Sequence, residues 1–491
     1  MFRSPNRLPS IAVLPVRQFR NPLLPLLLCA SLFLFPSCAP FAPTALPDAA
    51  GEIPKHFSLY NGNADADTAW WKAFGSEELN RLIGAALAGS FDLKQAWARL
   101  QQMRAVAIQA GADRSPDLSA VGSATYSRQR SASTSYRSQG NSDYLLGLSS
   151  SYEVDLWGRI HSQHQAALLD EAASLADLQT ASVSIAAEVA DRWVQLVSQR
   201  RQRQLLDEQL KNNLIFLELI ELRFSKAMVS ALDVYQQKQV VAGVRARIPL
   251  VEADIQLLQH EIAVLLGRPP GTDLALTALT MPETGPLPAV GLPADLLANR
   301  PDVRAAGMQL ESSQWQVATA RANRLPALSL AADAQYGANE LDLLFDTWLL
   351  NLAANLSAPL WDGGRRAAEV DRTAAQMDED LWAYRQTVLT AVKEVEDALV
   401  RETRQREYIG GLNSVMTAAR RGLEEAIQRY RRGLSDYLPV LTQLIAVQDL
   451  ERDILQQQEV LLRYRIGLYR ALGGGWIDST GAVTAAARDA S

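Results

Sequence analysis

The strongest constraint on this chain is that it repeats itself. Asp92-Leu93 recurs as Asp302-Val303, Pro116 as Pro326 and Tyr126 as Tyr336, each pair 210 residues apart. Gly158-Arg159 recurs as Gly364-Arg365, Glu188-Val189 as Glu394-Val395, Arg223-Phe224 as Arg429-Tyr430 and Leu266-Gly267 as Leu472-Gly473, each 206 apart. The offset changes once, between Tyr126 and Gly158, so one loop is four residues shorter in the second copy. Two copies of a unit of about 200 residues explain the length better than three unrelated domains. The copies are expected at 70–271 and 295–473, joined by a linker over 272–294 and followed by a tail over 474–491.

Each copy reads as helix, two strands, one very long helix, a turn and another helix. The first copy predicts helices near 79–113, 158–224 and 232–266 and strands near 117–127 and 144–157. The second predicts helices near 301–323, 364–430 and 437–472 and strands near 327–337 and 347–361. In the strands, Leu118, Ala120, Gly122, Ala124 and Tyr126 share one parity, as do Leu328, Leu330, Ala332, Ala334 and Tyr336. Such alternation over about ten residues, with small polar residues on the opposite face, is the pattern of a transmembrane β-strand. A half-buried strand of a soluble sandwich is the alternative reading. Four strands cannot close a barrel, and an open edge cannot sit in lipid, so the chain must oligomerise if the strands span a membrane. Three copies would supply twelve strands.

The helices carry coiled-coil spacing. Ile248, Val251, Ile255, Leu258, Ile262 and Leu265 alternate steps of three and four. A helix over 158–224 is roughly 100 Å long, about twice the length of its partners, so two short helices stacked end to end match one long one. This predicts a tall α-cylinder below a small β-barrel. Pro249, whose counterpart in the second copy is Leu455, is expected to bend its helix.

Composition narrows the function. With 48 Lys and Arg against 54 Asp and Glu the chain is not the basic molecule that a nucleic-acid binder requires. Its only cysteines, Cys29 and Cys38, lie at the start, which excludes a disulfide scaffold and a cysteine metal site from the body. The first 20 residues are basic and free of acids, and an apolar run from Leu23 to Phe35 follows. That layout predicts a secretory signal over 1–37, too short for a membrane anchor. Cys38 after Ser37 reads as a bacterial lipobox cysteine, acylated as an anchor, with residues 38–69 as a tether. Ordinary cleavage that leaves a free thiol is the alternative.

Several motifs taken together resemble the TolC-like outer-membrane efflux proteins, and within them the OprM/NodT type of lipoprotein channel. They are Trp70-Trp71 with Phe74, the run from Ser151 to Arg159, and Leu265-Leu266-Gly267-Arg268-Pro269. Arg300-Pro301-Asp302-Val303-Arg304, Pro359-Leu360-Trp361-Asp362-Gly363-Gly364 and Arg429-Tyr430-Arg431-Arg432-Gly433 complete the set. The resemblance runs from about Trp70 to Gly473. It implies a mainly α protein with a membrane β-barrel: a homotrimeric, 12-stranded barrel, four strands per chain, continued by a periplasmic α-helical coiled-coil tunnel. It implies the passive exit duct of a tripartite pump of the RND type for drugs or toxic small molecules, with a periplasmic adaptor and an inner-membrane transporter as partners. A type I protein-secretion channel of the same fold, a pore-less periplasmic scaffold and a general porin are the alternatives. No cofactor is implied.

The same resemblance places the adaptor-docking tips in the turns after the long helices, at Lys226, Ala227, Met228 and Val229 and at Arg432, Gly433 and Leu434. It also places a periplasmic constriction at Ser435 and Asp436, where related channels often carry a carboxylate two residues after the glycine. Gly433 suits the positive φ of a tight turn. Asp436 either forms part of an acidic ring or caps the next helix, since it aligns with Ser230 of the capping box Ser230–Asp233. His161 and His164 lack a nearby acid, so no metal site is expected. Arg200-Arg201-Gln202-Arg203 reads as a solvated helix face. No nucleophile, base and orienting group share a recognisable spacing, so no enzyme is expected.

Overall fold

The structure is a computed structural model of the chain and describes residues 40–44, 49–59, 70–130, 138–288 and 290–474. Cys38 and the leader lie outside the described residues. A 3₁₀ turn, Trp70–Phe74, leads into α1 (Glu77–Gly89) and α2 (Phe91–Ala112). The hairpin β1 (Asp117–Arg130) and β2 (Ser138–Val154) follows, then α3 (Arg159–Ser225) and α4 (Ala231–Leu265). The second copy comprises α5 (Leu296–Asn299), α6 (Pro301–Ala322), β3 (Ala327–Ala338), β4 (Trp348–Ser357), α7 (Arg365–Arg431) and α8 (Leu438–Ala471).

The sheet is antiparallel in the order β1-β2-β3-β4, so β1 and β4 are open edges. Its register aligns the alternation of all four strands. Ala120, Leu148, Ala334 and Leu350 lie directly across from one another, as do Gly122, Leu146, Tyr336 and Trp348. Side chains paired in this way share a face. One face is therefore apolar, and the other carries Ser119, Ser149, Asp333 and Asn351. Within the polar face Ser149 Oγ donates to Asp333 Oδ1 at 2.6 Å. The apolar face is bare in the single chain: Leu352 is 72% exposed and Trp348 68%.

Below the sheet the helices form a slab. Near the strands it runs α2, α3, α6, α7; toward the far end it runs α4, α3, α8, α7. The expected stacking of short helices along long ones thus holds within each copy. The main core packs Trp193, Leu178, Val189 and Leu196 of α3 against Leu79 and Ile83 of α1 and Ile262 of α4. Trp70 is buried in it and stacks on Tyr469, ring centroids 5.1 Å apart.

Three expectations need correction. The helix read over 79–113 is two helices, because Ser90 takes extended angles (φ −55, ψ 130). The cause is tertiary: a Cβ on Gly89 would lie 2.4 Å from Leu266 O, and one on Gly267 2.3 Å from Gly89 O. Two backbones touch there, and the second copy repeats the contact between Gly473 and Asn299, at the break before Pro301. Secondly, the tether is docked in its described part. Phe57 is buried, Ser58 N–H donates to Glu396 at 2.7 Å, and Arg385 Nε donates to Ala49 O at 3.2 Å. Thirdly, Arg203 is not simply solvated, since its Nε pairs with Glu252 of α4 at 2.9 Å. For its part, α4 stays helical through Pro249.

The linker between the copies is held by a buried charge cluster. Glu402 is fully buried and receives Arg465 Nε at 2.9 Å and Arg406 Nη2 at 3.0 Å. Arg465 Nη1 also donates to Pro286 O at 2.9 Å, and Arg406 Nη2 to Gly285 O at 2.9 Å. Glu402→Ala strands the buried guanidinium of Arg465, so a loss of about 3–5 kcal/mol is expected in denaturant melts. A loss under about 1 kcal/mol would show that the cluster is incidental.

Candidate functional site: the helix tips

Both long helices end far from the sheet, about 100 Å away at 1.5 Å per residue. Both end in the same way. Met228 N–H donates to Arg223 O at 2.9 Å and Ala227 N–H to Phe224 O at 2.9 Å. Leu434 N–H donates to Arg429 O at 2.9 Å and Gly433 N–H to Tyr430 O at 3.1 Å. This pair of bonds is a Schellman motif, which requires a left-handed residue after the helix. Gly433 has φ +72, as its type suggests, but Ala227 has φ +54 in the matching place. A Cβ in that conformation costs about 1–2 kcal/mol. Ala227→Gly should therefore slow amide exchange at Met228 several-fold by stabilising the turn; unchanged or faster exchange would refute the strain.

The two turns then diverge. Ser230 caps α4 in a full capping box, with Ser230 N–H donating to Asp233 at 2.9 Å and Asp233 N–H to Ser230 Oγ at 3.3 Å. Asp436 does not cap α8, which corrects one of the two expected roles. The third residue after it is Pro439, which has no N–H to offer, so α8 begins one residue later behind Tyr437. Asp436 is left exposed. The Ser435 hydroxyl is buried without a hydrogen-bond partner.

Tyr437 is 1% exposed, and its burial raises the phenol above its ordinary pKa. Its hydroxyl donates to Gln237 Oε1 at 2.8 Å, and Gln237 Nε2 donates to Asn213 O at 2.8 Å. Asn213 Nδ2 donates to Gln448 Oε1 at 3.1 Å, and Gln209 Nε2 to Gln448 O at 3.0 Å. Sequence reasoning missed this buried polar ladder between the two hairpins. Its signal was polar residues four apart at core positions of α3, Gln209 and Asn213. The residues singled out at the tips meet solvent instead: Lys226, Ala227, Arg432 and Gly433 are exposed, with Met228 65% and Leu434 64% so; Val229 alone is partly covered.

Elsewhere, His161 packs its ring edge against Trp315 at 5.6 Å, and no group of three metal-ligating side chains occurs among the described residues. No described helix is long and apolar enough to cross a membrane.

Family comparison decides what this architecture is. The model for outer membrane efflux proteins matches residues 82–268 and 292–474, one block in each copy. The chain belongs to this family. The pyoverdine export outer membrane protein OpmQ of Pseudomonas aeruginosa is 34% identical over 437 residues, 85% of this chain and 90% of the relative. The solvent efflux pump outer membrane protein SrpC of Pseudomonas putida is 31% identical over 418 residues, 82% and 86% of the two chains. Among solved structures, the outer-membrane channel OprN superposes with a TM-score of 0.79 at 30% identity, over 89% of this chain and 98% of its own. VceC of Vibrio cholerae gives 0.79 at 28% identity, over 84% and 100%. The chain is an outer-membrane component of efflux, with the fold expected from its sequence.

Proposed function

We propose that this protein is the exit duct of a tripartite pump of the RND type, a homotrimer whose helix tips receive a periplasmic adaptor. The observation that carries the reading is the open four-stranded sheet with one bare apolar face, continued by hairpins about 100 Å long. Both margins of the chain are unfinished in the same sense. One presents the β1 edge, α2 and α4; the other presents the β4 edge and α7. On α4 the exposed Leu250, Leu257 and Val264 recur every seven residues, and α7 exposes Leu389, Tyr408 and Val415. Head-to-tail contact between these margins, closed after three copies, pairs every strand edge and buries both stripes.

Met228 and Leu434 at the tips offer the adaptor apolar contacts, and Ser435 and Asp436 line the constriction. The cargo is a small molecule, in line with the solvent, toluene, antibiotic and pyoverdine exporters to which the chain is similar. Those relatives favour efflux over protein secretion. The test is complementation: in cells that lack their own duct, this chain with its cognate pump should restore efflux of a fluorescent substrate. Restored secretion of a protein without any change in dye efflux would reverse the reading.

The anchor is Cys38. Arg385, which holds Ala49, lies twenty residues into α7 and hence about 30 Å below its start. The eleven residues from Cys38 to Ala49 span at most about 38 Å, enough to return to the membrane. A purified chain whose N-terminal peptide carries no acyl mass would remove the anchor.

A further inference from the structure

The extreme tips of the two hairpins carry the opposite charge to the chain as a whole, with exposed Glu424 and Glu425 following about one turn above Arg429. The chain as a whole carries −6, yet residues 223–233 and 429–439 hold five bases (Arg223, Lys226, Arg429, Arg431, Arg432) and two acids, Asp233 and Asp436. Asp233 is engaged in the capping box. Lys226, Arg429, Arg431 and Arg432 are exposed and have no carboxylate partner among the described residues. The sheet shows the reverse sign. Its polar face bears Asp117, Asp143 and Asp333, with Glu153 neutralised by Arg159 at 2.8 Å, while Arg128 lies on the opposite face.

We propose that the arginine-rich tips make the periplasmic mouth an electrostatic trap for anionic small molecules, so that the cargo class of this duct is anionic. The inference rests on the exit-duct reading above, in which the tips of all three copies encircle one opening. Three surplus positive charges per chain then become nine around that opening. Unpaired charges of one sign at a pore mouth raise the local concentration of the opposite ion and its rate of capture. Their reach is a Debye length, about 10 Å at 0.1 M salt and about 3 Å at 1 M. Fixed positive charge concentrated at one mouth makes the duct pass ionic current more easily in one direction.

The test uses the full-length trimer in detergent and its variant Arg431→Glu/Arg432→Glu, both changes lying on exposed side chains. By fluorescence anisotropy, the trisulfonated dye hydroxypyrene trisulfonate should bind the wild-type trimer at 50 mM NaCl and at least tenfold more weakly to the variant. Binding should vanish at 1 M NaCl. In a planar bilayer at 0.1 M KCl, wild-type current should differ between polarities, and the variant should lose that asymmetry. Equal dye binding by the two proteins overturns the proposal, whether or not the pore is open in the bilayer. A variant that keeps its dye binding but no longer binds the adaptor would assign the arginines to docking instead. A wild-type particle that is not a trimer strikes at the duct reading itself, so the two failures are distinguishable.

Discussion

Gly267→Val chains should fail to assemble. A side chain at this position meets two independent obstacles. The backbone is left-handed, φ +70, which costs a non-glycine residue about 1–2 kcal/mol. The new Cβ would also lie 2.3 Å from Gly89 O, a backbone atom that cannot rotate away. Overpacking of that kind costs a further 1–3 kcal/mol or so. The contact closes the first copy on itself, joining the end of α4 to the break between α1 and α2. Each trimer contains three such contacts, so the expected loss is about 6–15 kcal/mol per particle, enough to remove the protein from the outer-membrane fraction. Gly271→Val is the control, since it too has positive φ (+83) but nothing within 4 Å. Comparable loss from both variants would show that strain alone, and not the two-backbone contact, is responsible.

Leu352→Arg should be as damaging, for a different reason. Leu352 is 72% exposed in the middle of β4, on the face that carries Ala332 of the neighbouring strand. Arginine at the midplane of a barrel's lipid face costs about 2–4 kcal/mol, again three times per particle. Its neighbour Asn351 points to the opposite face, across from Asp333. Asn351→Arg should therefore insert normally and alter only conductance. Heat stability of the trimer on a gel reads both variants at once. If Asn351→Arg is the lethal one and Leu352→Arg is tolerated, the apolar face looks inward and the barrel assignment is inverted.

The features that were legible in the sequence are those that repeat over many residues. Alternation along each strand fixed which side chains share a face, and the register then aligned all four strands without a slip. The offsets of 210 and 206 separated the copies, and the alternating steps of three and four marked α4 as a packed helix. What escaped was set by single contacts between distant segments. Gly89-Ser90 looks like helix interior until Gly267 is known to lie against it. The docking of Phe57 depends on a hydrophobic cluster with Val388, Ala391 and Val395 of α7, residues more than 300 positions away that no local pattern connects to it. Asp436 was a different kind of miss, because Pro439 three residues later already removed the amide donor that a capping box like that of Ser230 needs. At the tips, the strained Ala227 was within reach of the alignment with Gly433, whereas the ladder from Tyr437 to Gln209 required the hairpins to be placed side by side.

The central claim is that one chain supplies a third of a membrane barrel and cannot complete it alone. Light scattering on the detergent-extracted particle from an outer-membrane fraction, with the detergent contribution subtracted, measures this most directly. A protein mass of three chains is the expected result. A monomer recovered from the soluble periplasm would contradict it, since an open four-stranded sheet with a bare apolar face would then have to be stable in water.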